Sequence, residues 1–424
     1  MPEPTSRIVN PLATTTPDVA IVGAGVAGGA LAIVLRQRGI DVHLIERSNS
    51  FRDRIRGETI HPWGATELRR LGLYDLAITQ AEAQPQYLWQ TYRAREAQTP
   101  YHWADDFPDA PNGLGVNHVA LQNALLGEAA RLGAVIHRPA TVSFNRKGGQ
   151  PLLTVTSAAG DLRLEPRLVV GADGQNSATR AWAGGTARPD PAHHHLGGAL
   201  IRGLGLQSDR IHQAFFDGGF VFVSPQADDV ARLYLVVSSP TAMEIQVSAE
   251  PAGRFVEYFR DALPEGTIGP CWESVGPAGF FPNANVPVSI PSSRDVVLIG
   301  DASGRNDPSQ GHGLSLTFHD VRILSDMLLE RDDWPSVPDR FHAAKRRYFE
   351  TLRQHARWNE RQATDTGPEI DDLRARIARS REIDPTAGGF AAIFATGPAG
   401  LEVTEEARLH YLGLDLTDDV ANVA

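Results

Sequence analysis

The chain has 424 residues, 21% of them charged, and its formal net charge is -11. This length favours two or three domains with cores large enough to enclose a bulky ligand. The negative charge disfavours nucleic acid and anionic membrane surfaces as partners. Because Cys271 is the single cysteine, disulfide frameworks, CxxC redox pairs and cysteine-rich metal sites are excluded, and we expect a cytoplasmic location.

The first predicted element is a βαβ unit. Residues 1–17 carry proline and threonine in place of the apolar core of a secretion signal, so we expect a flexible lead-in and no stable membrane insertion. Apolar Asp18–Val22 predicts a strand, the Ala/Leu-rich run Gly25–Gln37 predicts a helix, and Asp41–Ile45 predicts a second strand.

Mixed elements follow this unit. A helix is predicted near Trp63–Leu76, and the alternating segments Tyr87–Ala94 and Thr99–Phe107 predict antiparallel strands. Helical periodicity returns over Val119–Leu132, followed by a strand at Ala134–His137. Near Gln84 the chain therefore changes from alternating strand and helix patterns to antiparallel strand patterns, and the helical pattern returns at Val119.

The second half alternates between strands and helices. A hairpin of Leu152–Thr156 with Leu162–Leu164 precedes an apolar strand at Leu168–Val170. Short alternating segments from His193 to Ser239 predict a mostly antiparallel sheet.

The last predicted strand, Val296–Ile299, enters a glycine-rich turn and a helix that ends near Leu329. Beyond Trp334 the pattern predicts one long helix, with Asp339 as N-cap and an end near Thr364, and then a Gly/Ala/Pro-rich tail.

The βαβ unit contains the first chemical motif, a GxGxxG turn between strand and helix. Gly23 permits the tight turn, Gly25 lets the backbone approach a pyrophosphate, and Gly28 lets helix and strand pack closely. Glu46 ends the second strand about twenty residues further on, where a carboxylate accepts hydrogen bonds from ribose hydroxyls. A glycine turn alone is shared by many α/β domains, but this context favours a dinucleotide.

Two further motifs lie at ends of apolar strands. Asp173-Gly174 follows the strand at Leu168–Val170, and Gly300-Asp301 follows Val296–Ile299, with Pro308, Gly311, Gly313 and Asp320 beyond it. A carboxylate at a strand end is placed to bind a sugar-alcohol hydroxyl. The helix that starts near Gly311 directs its positive end to any anionic group that lies beside it.

The three motifs in this order resemble the group A flavoprotein monooxygenases, which include the aromatic hydroxylases, over about the first 330 residues. The resemblance implies an α/β fold: a Rossmann-like (GR2-type) FAD/NAD(P)-binding domain, a mostly antiparallel substrate-binding sheet and a helical C-terminal region. It divides the chain into a discontinuous FAD-binding domain (17–84, 112–188 and 288–333), a substrate-binding domain (85–111 and 189–287) and the C-terminal region (334–424).

The resemblance also implies roles for individual residues. The glycine turn and Glu46 would hold ADP, Asp301 the ribityl chain, and the loop from Pro308 to Gly313 the flavin ring. A surface salt bridge is an equal alternative for Arg56. The full implied set for non-covalent FAD is Gly23, Gly25, Gly28, Glu46, Arg47, Arg56, Gln122, Asp173, Gly174, Asp301, Pro308, Gly311, His312 and Gly313.

The sequence also departs from the family pattern. Gly304, His312, Ser315 and His118 stand where members often have His, Gln, Asn and Arg. These positions concern contacts to the flavin ring and the ribityl chain, so they allow a branch of the family with altered chemistry. They leave the FAD prediction in place.

The implied reaction is hydroxylation of an aromatic or similarly electron-rich small molecule, with NADH or NADPH as reductant and O2 as co-substrate, through a flavin C4a-hydroperoxide. A phenolic substrate would need a base or hydrogen-bond acceptor. The sequence leaves this residue open, and structural roles compete at each candidate: His61, Tyr92, His102, His194, His212 and Asp217.

Two further patterns concern a metal site and the substrate pocket. The run His193-His194-His195 predicts no metal site, because alternate strand residues point to opposite faces. An apolar pocket roof and ordinary sheet core are both open for six aromatic residues: Phe215, Phe216, Phe220, Phe222, Phe280 and Phe281. The protein is expected to be a monomer or a homodimer.

The alternatives are a dehydrogenase or oxidase, a halogenase, and a non-catalytic FAD-fold binding protein. A halogenase of this fold needs a lysine in an early position and a WxWxIP segment. The only lysines, Lys147 and Lys345, are not in that position and the segment is absent, which disfavours halogenation. Intact glycines with Glu46 and Asp301 argue against a protein without cofactor.

Overall fold

The protein is described by a computed structural model, which covers residues 13–293, 295–330, 333–384 and 390–415. Most of the predicted lead-in, residues 1–12, and the end of the predicted tail, residues 416–424, lie outside these ranges. The lead-in prediction is wrong for Thr14–Thr15, which form a strand parallel to Gly160–Leu164.

The centre of the fold is a parallel sheet built from the predicted apolar strands. Every residue of Val19–Val22, Val42–Ile45 and Leu168–Gly171 is buried, as expected where helices cover both faces of a parallel sheet. Its strands, in spatial order, are Val135–His137, Val42–Ile45, Val19–Val22, Leu168–Gly171 and Val296–Leu298.

Helices pack against this sheet. The helix Val26–Gln37 follows the glycine turn and contacts His118–Arg131 and Gly313–Glu330. Gly29 permits this close approach, because a Cβ there would lie 3.0 Å from Leu125 Cβ. Asn117 caps one of these helices, since its side chain accepts a 2.9 Å hydrogen bond from Ala120 N–H.

The predicted antiparallel sheet forms the second layer. Hydrophobic residues alternate along its strands, and one face packs on the helices Ser239–Gln246 and Pro251–Ala262. Its strands, from one edge to the other, are Glu273–Ser274, His194–Arg202, Val230–Ser238, Gly219–Pro225, Arg210–Phe216, Leu88–Arg93 and Glu96–Ala97, with Gly279–Pro282 and Tyr101–His102 paired at the sides. Arg210–Phe216 and Leu88–Arg93 run parallel, and the other pairs are antiparallel.

Smaller sheets and short helices complete the body. The predicted hairpin extends to Gln150–Ser157 with Gly160–Leu164, and it gains a strand, Ala140–Lys147, that the sequence did not predict. Two three-stranded sheets contain Thr59–Ile60, Gln84–Gln86 and Gly113–Gly115, and Thr186–Ala187, Val286–Ser289 and Gly304–Arg305. Short helices are Thr179–Trp182, Gly300–Ser303, Pro308–Gln310 and Trp334–Ser336.

Several element predictions need correction. The helix predicted at Trp63–Leu76 is two helices, Pro62–Arg70 and Tyr74–Gln80, because Gly72 turns the chain with φ +69°. Of Thr99–Phe107 only Tyr101–His102 is strand, and Trp103–Asp106 is helical.

The C-terminal region is helical as predicted, with helices Val337–Thr364, Pro368–Ile383, Phe390–Thr396 and Glu405–Tyr411 and a 3-10 turn at Gly397–Gly400. The N-cap position is Ser336, so the prediction of Asp339 was wrong. Asp339 lies in the first turn and accepts hydrogen bonds from Ser292 and Ser293 instead. None of the helices in the described ranges has the length and apolar character that a membrane span requires.

Candidate functional site

A cavity of about 1310 Å³ runs from the glycine turn to the antiparallel sheet. It exceeds the roughly 300–1,000 Å³ of common small-molecule pockets, so it has room for two ligands. We call its two parts the cofactor half and the substrate half. The cofactor half is lined by the glycine turn, the loop 46–58, and the segments 172–178 and 299–314. The substrate half lies between one face of the antiparallel sheet and the C-terminal helices.

Most predicted cofactor residues line this cavity; Gly28 and His312 do not. Gly28 has the structural role predicted for it, because a Cβ there would lie well under 3.0 Å from Gly23 O. Gly23 has φ +101° and its Cβ would meet the Ala172 backbone, so both positions demand glycine. A Cβ on Gly25 would instead point to open cavity, with Gln122 Nε2 at 3.6 Å as its only near neighbour.

The Glu46 carboxylate joins the second strand to the glycine turn. Its Oε2 accepts a 3.0 Å hydrogen bond from Ala24 N–H, and its Oε1 accepts one of 2.7 Å from Ser48 N–H. Glu46 still lines the cavity. The remaining acceptor capacity of the carboxylate can therefore serve a ribose hydroxyl while the carboxylate also fixes the turn.

Asp173 shapes its own loop. Its Oδ2 accepts hydrogen bonds from the N–H groups of Ala178 and Thr179, and its Oδ1 accepts a 2.7 Å hydrogen bond from the Thr179 hydroxyl. Arg180 then donates to the carbonyls of Asp301 and Ala302 at 3.2 and 3.0 Å. The second and third motifs are thus one hydrogen-bonded unit.

The Gly300-Asp301 turn rests on a buried ion pair. Gly300 N–H donates a 2.8 Å hydrogen bond to Asp320 Oδ2. Lys345 Nζ lies 2.8 and 2.7 Å from the two oxygens of Asp320, and the Tyr348 hydroxyl donates to Oδ1 at 2.7 Å. Lys345 comes from the C-terminal region, and no local sequence pattern indicates that it supports this turn.

Four arginines of one loop, Arg47, Arg52, Arg54 and Arg56, line the cofactor half. Arg56 Nη1 lies 3.9 Å from Asp301 Oδ2. Arg56 therefore forms an ion pair, as one of its two expected roles requires, and it also lines the cavity. The positive charge of this loop suits a pyrophosphate.

Contacts with the antiparallel sheet hold this loop in place. The Tyr234 hydroxyl donates to Arg56 O at 2.7 Å, and Glu58 Oε2 pairs with Arg232 Nε at 2.7 Å in a fully enclosed ion pair. The sheet therefore fixes the backbone of the arginine loop.

The loop Pro308–Gly313 borders both halves. Gly311 has φ +69°, and a Cβ there would lie 2.8 Å from His61 Nε2. Next to it, burial raises the pKa of Asp307 to about 6 although Ser309 and Asn283 donate to its carboxylate. His312 lies behind the loop, fully buried, with its ring stacked on Phe394 at 5.0 Å between centroids. Its predicted place against the flavin ring was wrong.

Among the candidate bases, only His61 lines the cavity. Its Nε2 lies 3.0 Å from the Gln310 carbonyl, and because a carbonyl can only accept, Nδ1 is the free acceptor of the neutral ring. Nδ1 is buried without a hydrogen-bond partner among the described residues. Burial lowers the pKa of His61 to about 4, so the ring is neutral near pH 7.

The other candidates lie elsewhere. Tyr92 and His212 face the core side of the sheet, where Tyr92 OH and His212 Nδ1 are 3.1 Å apart. His194 is buried with its pKa lowered to about 3 by desolvation, while His102 and Asp217 are exposed. None of these five residues lines the cavity, so their positions do not support the expectation that one of them acts as the base.

The substrate half is apolar and aromatic. Of the predicted aromatic set, Phe215, Phe220, Phe222 and Phe281 line the cavity. Phe216 packs on Tyr258 and Phe280 packs on Phe255 on the opposite face. Sequence reasoning missed further lining residues, among them Trp89, Thr91, Arg93, Gln213, Asn359, Gln362, Arg381 and Phe394.

The C-terminal helices supply the last four of these residues. Asn359, Gln362 and Ala363 share one helix face at spacings of three and four. Strand alternation groups the sheet residues that share a face, but nothing in the local sequence shows which helix closes the cavity. No group of three or more His, Cys, Asp or Glu side chains in the described ranges is arranged to hold a metal ion.

The cofactor half fits the expected FAD by the chemistry of its side chains. An open glycine backbone, an arginine loop, a ribose-accepting carboxylate and Asp301 at a strand end follow one another along it. A family model described as FAD binding domain matches residues 16–332.

Relatives and solved structures agree with this match. Squalene monooxygenase of Mus musculus is 26% identical over 362 residues, which cover 81% of this chain and 60% of the relative. The matched region thus spans about three fifths of that relative. The p-nitrophenol 4-monooxygenase PnpA of Pseudomonas putida DLL-E4 has a TM-score of 0.72 at 20% identity, covering 95% of this chain and 99% of PnpA. The flavin-dependent halogenase CmlS has a TM-score of 0.66 at 19% identity, covering 96% of this chain and 72% of CmlS. At these identities the structures establish a shared fold.

Proposed function

The chain belongs to the FAD binding domain family, and from this premise we propose that it is an FAD-dependent monooxygenase. It would use NADH or NADPH and O2 to transfer one oxygen atom to an aromatic or similarly electron-rich small molecule. One observation supports this above the others: a single cavity joins the cofactor motifs to an aromatic sheet face that those motifs do not need.

The cofactor half would hold FAD and orient it. Gly25 gives the pyrophosphate access to backbone N–H groups, the arginine loop neutralises its charge, and Glu46 and Asp301 accept hydroxyl hydrogen bonds. FAD, when bound, supplies the redox chemistry that couples a nicotinamide reductant to O2. The buried pair of Asp320 and Lys345 keeps the Gly300-Asp301 turn in place.

The substrate half would bind the substrate and exclude water. Phe215, Phe220 and Phe222 offer ring faces to an apolar substrate. Gln213 is fixed by a 3.0 Å hydrogen bond from Trp89 Nε1 to its Oε1, so its amide N–H groups can orient a substrate oxygen. His61, neutral and adjacent to Gly311, is our candidate hydrogen-bond acceptor for a substrate hydroxyl group.

Halogenation is disfavoured by the positions of the two lysines. Lys147 lies on the surface 2.9 Å from Glu165, and Lys345 is buried against Asp320. Neither lines the cavity. A dehydrogenase or oxidase would use the same cavity without oxygen transfer. The cytoplasmic location and the monomeric or homodimeric state remain predictions.

The deciding experiment has two steps. The purified protein should take up FAD and turn yellow, and NADH or NADPH should reduce it anaerobically faster with a bound aromatic substrate. Turnover under ¹⁸O₂ should then place one labelled atom in the product, as mass spectrometry can show. No FAD uptake would reject the enzyme; substrate oxidation without label would identify a dehydrogenase or oxidase instead.

A further inference from the structure

Charge is distributed unevenly along the cavity. The acidic residues that line it, Glu46, Glu58, Asp173 and Asp301, all belong to the cofactor half. The substrate half is lined by Arg93 from the sheet and Arg381 from the C-terminal helix Pro368–Ile383. An apolar aromatic substrate would not require these cations.

Arg93 lies on the cavity side of its strand. Trp89, Thr91 and Arg93 alternate along Leu88–Arg93 and all line the cavity. The Arg93 guanidinium carbon lies 4.0 Å from the ring centroid of Phe215. Among the described residues no carboxylate is within 4.0 Å of Arg93, whereas Arg56, which also lines the cavity, lies 3.9 Å from Asp301. Within this part of the chain the Arg93 cation is therefore held on an aromatic face without a carboxylate partner.

The surroundings of Arg93 add further positive charge. Partial enclosure lowers the pKa of Arg93, and the charges of Arg381 and Arg374 lower it further. Arg374 itself is not available to a ligand, because it pairs with Asp371 at 3.3 Å and donates to the carbonyls of Gln362 and Asp365. Like charges near one another cost free energy that an anion placed between them would offset.

We propose that Arg93 and Arg381 form a subsite that binds a carboxylate of the substrate. The subsite rests on the proposed function, since it assigns the substrate of that reaction to the aromatic carboxylic acids. A guanidinium offers parallel N–H donors that match a carboxylate in two-point contact. Phe215 beneath Arg93 orients its plane, and Gln98 and Gln362 line the same part of the cavity with polar groups.

The apolar body of the acid would then extend over the aromatic face. Phe222 and Gln213 are paired across neighbouring strands, and both line the cavity. The carboxylate would thus lie near the sheet edge at Arg93. The aromatic ring of the substrate would point toward the loop Pro308–Gly313.

Equilibrium binding to the FAD-loaded protein tests the subsite without turnover. The probes are three acid and amide pairs of increasing size: benzoate with benzamide, 2-naphthoate with 2-naphthamide, and 4-biphenylcarboxylate with 4-biphenylcarboxamide. Binding is followed by the change in flavin absorbance and by calorimetry at pH 7.5. We expect at least one acid to bind about tenfold more tightly than its amide, which corresponds to about 1.4 kcal/mol.

Variants assign this preference to the two arginines. Arg93→Gln and Arg381→Gln should each bring acid and amide to similar affinity, while Arg93→Lys should keep part of the preference because it keeps the charge. Arg202→Gln is the matched control, since Arg202 lies on the same sheet outside the cavity, in a surface ion pair with Glu273. Melting temperature and FAD content identify any variant that fails to fold, and Arg93→Lys then serves in its place.

The outcomes separate this inference from the proposed function. A wild-type protein that prefers no acid over its amide, or an Arg93→Gln protein that keeps the preference, overturns the carboxylate subsite. A rise in KM for NADPH but not for NADH in Arg93→Gln overturns it as well, because the subsite would then belong to the reductant's phosphate. Failure to bind FAD at all would reject the proposed function instead.

Discussion

The two halves of the cavity are built from different parts of the polypeptide. In the cofactor half, backbone turns at strand ends form the site, and side chains such as Asp173 and Asp320 serve mainly to fix those turns. In the substrate half, side chains on a sheet face and on distant helices form the surface. A site made of backbone needs glycine at fixed spacings, whereas a site made of side chains leaves only strand and helix periodicity in the sequence.

We expect the largest effect from breaking the buried ion pair that supports the cofactor half. Lys345→Met leaves the Asp320 carboxylate buried without its ammonium partner, and we expect a loss of about 3–5 kcal/mol in the free energy of unfolding. The Gly300-Asp301 turn should loosen, so FAD should also bind more weakly. Urea unfolding and FAD titration measure the two effects.

The only other lysine provides the control. Lys147→Met removes an exposed pair with Glu165 and should change stability by less than about 1 kcal/mol. Equal losses in the two variants would show that the buried pair does not support the turn.

The next effect concerns the glycine turn itself. Gly28→Ala places a methyl group well under 3.0 Å from Gly23 O, so helix and strand must separate, and we expect a loss of about 1–3 kcal/mol. Gly127→Ala, in the helix His118–Arg131 with no atom within 4 Å of its Cβ, should gain up to about 1 kcal/mol. Thermal unfolding of the two variants compares them; a stable Gly28→Ala protein would contradict the close packing.

These positions also show what the sequence could predict. The family, FAD as cofactor and the α/β fold are confirmed, because three glycine and aspartate motifs in order reflect backbone requirements. The domain boundaries and the roles of individual site residues remain predictions. His312 was misplaced because a motif position does not reveal which side of a loop a side chain takes, and the ring is packed among His61, Trp63 and Phe394.

The substrate half was only partly predictable. Once the strand is known, alternation places Phe215 and Phe216 on opposite faces of the sheet. It does not show which face meets the cavity. Arg381 and Phe394 lie far along the chain from the sheet they face, and no local pattern links them. Their contribution depends on how the C-terminal helices dock, which is a property of the whole fold.

The third prediction concerns how stability depends on pH, and it involves histidines where the C-terminal helices pack against the rest of the protein. His61, His312 and His355 are fully buried around Phe394, and burial lowers the pKa of His61 to about 4 and of His355 to about 3. Because the unfolded state binds protons near pH 6.5 and the folded state does not, stability is complete above pH 6.5 and falls as the pH drops from 6.5 towards 4.

Each such histidine should contribute about 1 kcal/mol per pH unit. His355→Phe should therefore reduce the slope of the free energy of unfolding between pH 6.5 and 5 by about that amount. Urea unfolding at several pH values measures the slope. An unchanged slope would show that His355 gains protons in the folded protein as readily as in the unfolded chain.

The smallest effects distinguish the two faces of the substrate sheet. Phe215→Leu removes part of the cavity wall and should raise KM for an aromatic substrate up to about tenfold, with little change in stability. Phe216→Leu, on the opposite face against Tyr258, should cost about 1 kcal/mol of stability and leave KM unchanged. Steady-state kinetics and thermal unfolding give both values, and the reverse pattern would contradict the assigned faces.

The central claim, that the glycine turn is where FAD binds, is tested most directly by FAD titration of Gly25→Ala. The new methyl group meets no protein atom closer than 3.6 Å, so the protein without cofactor should keep its melting temperature. The methyl would occupy the space needed by the pyrophosphate, so we predict FAD affinity at least about a hundredfold weaker than wild type, or about 2.7 kcal/mol. Wild-type FAD affinity in a folded Gly25→Ala protein would contradict the account.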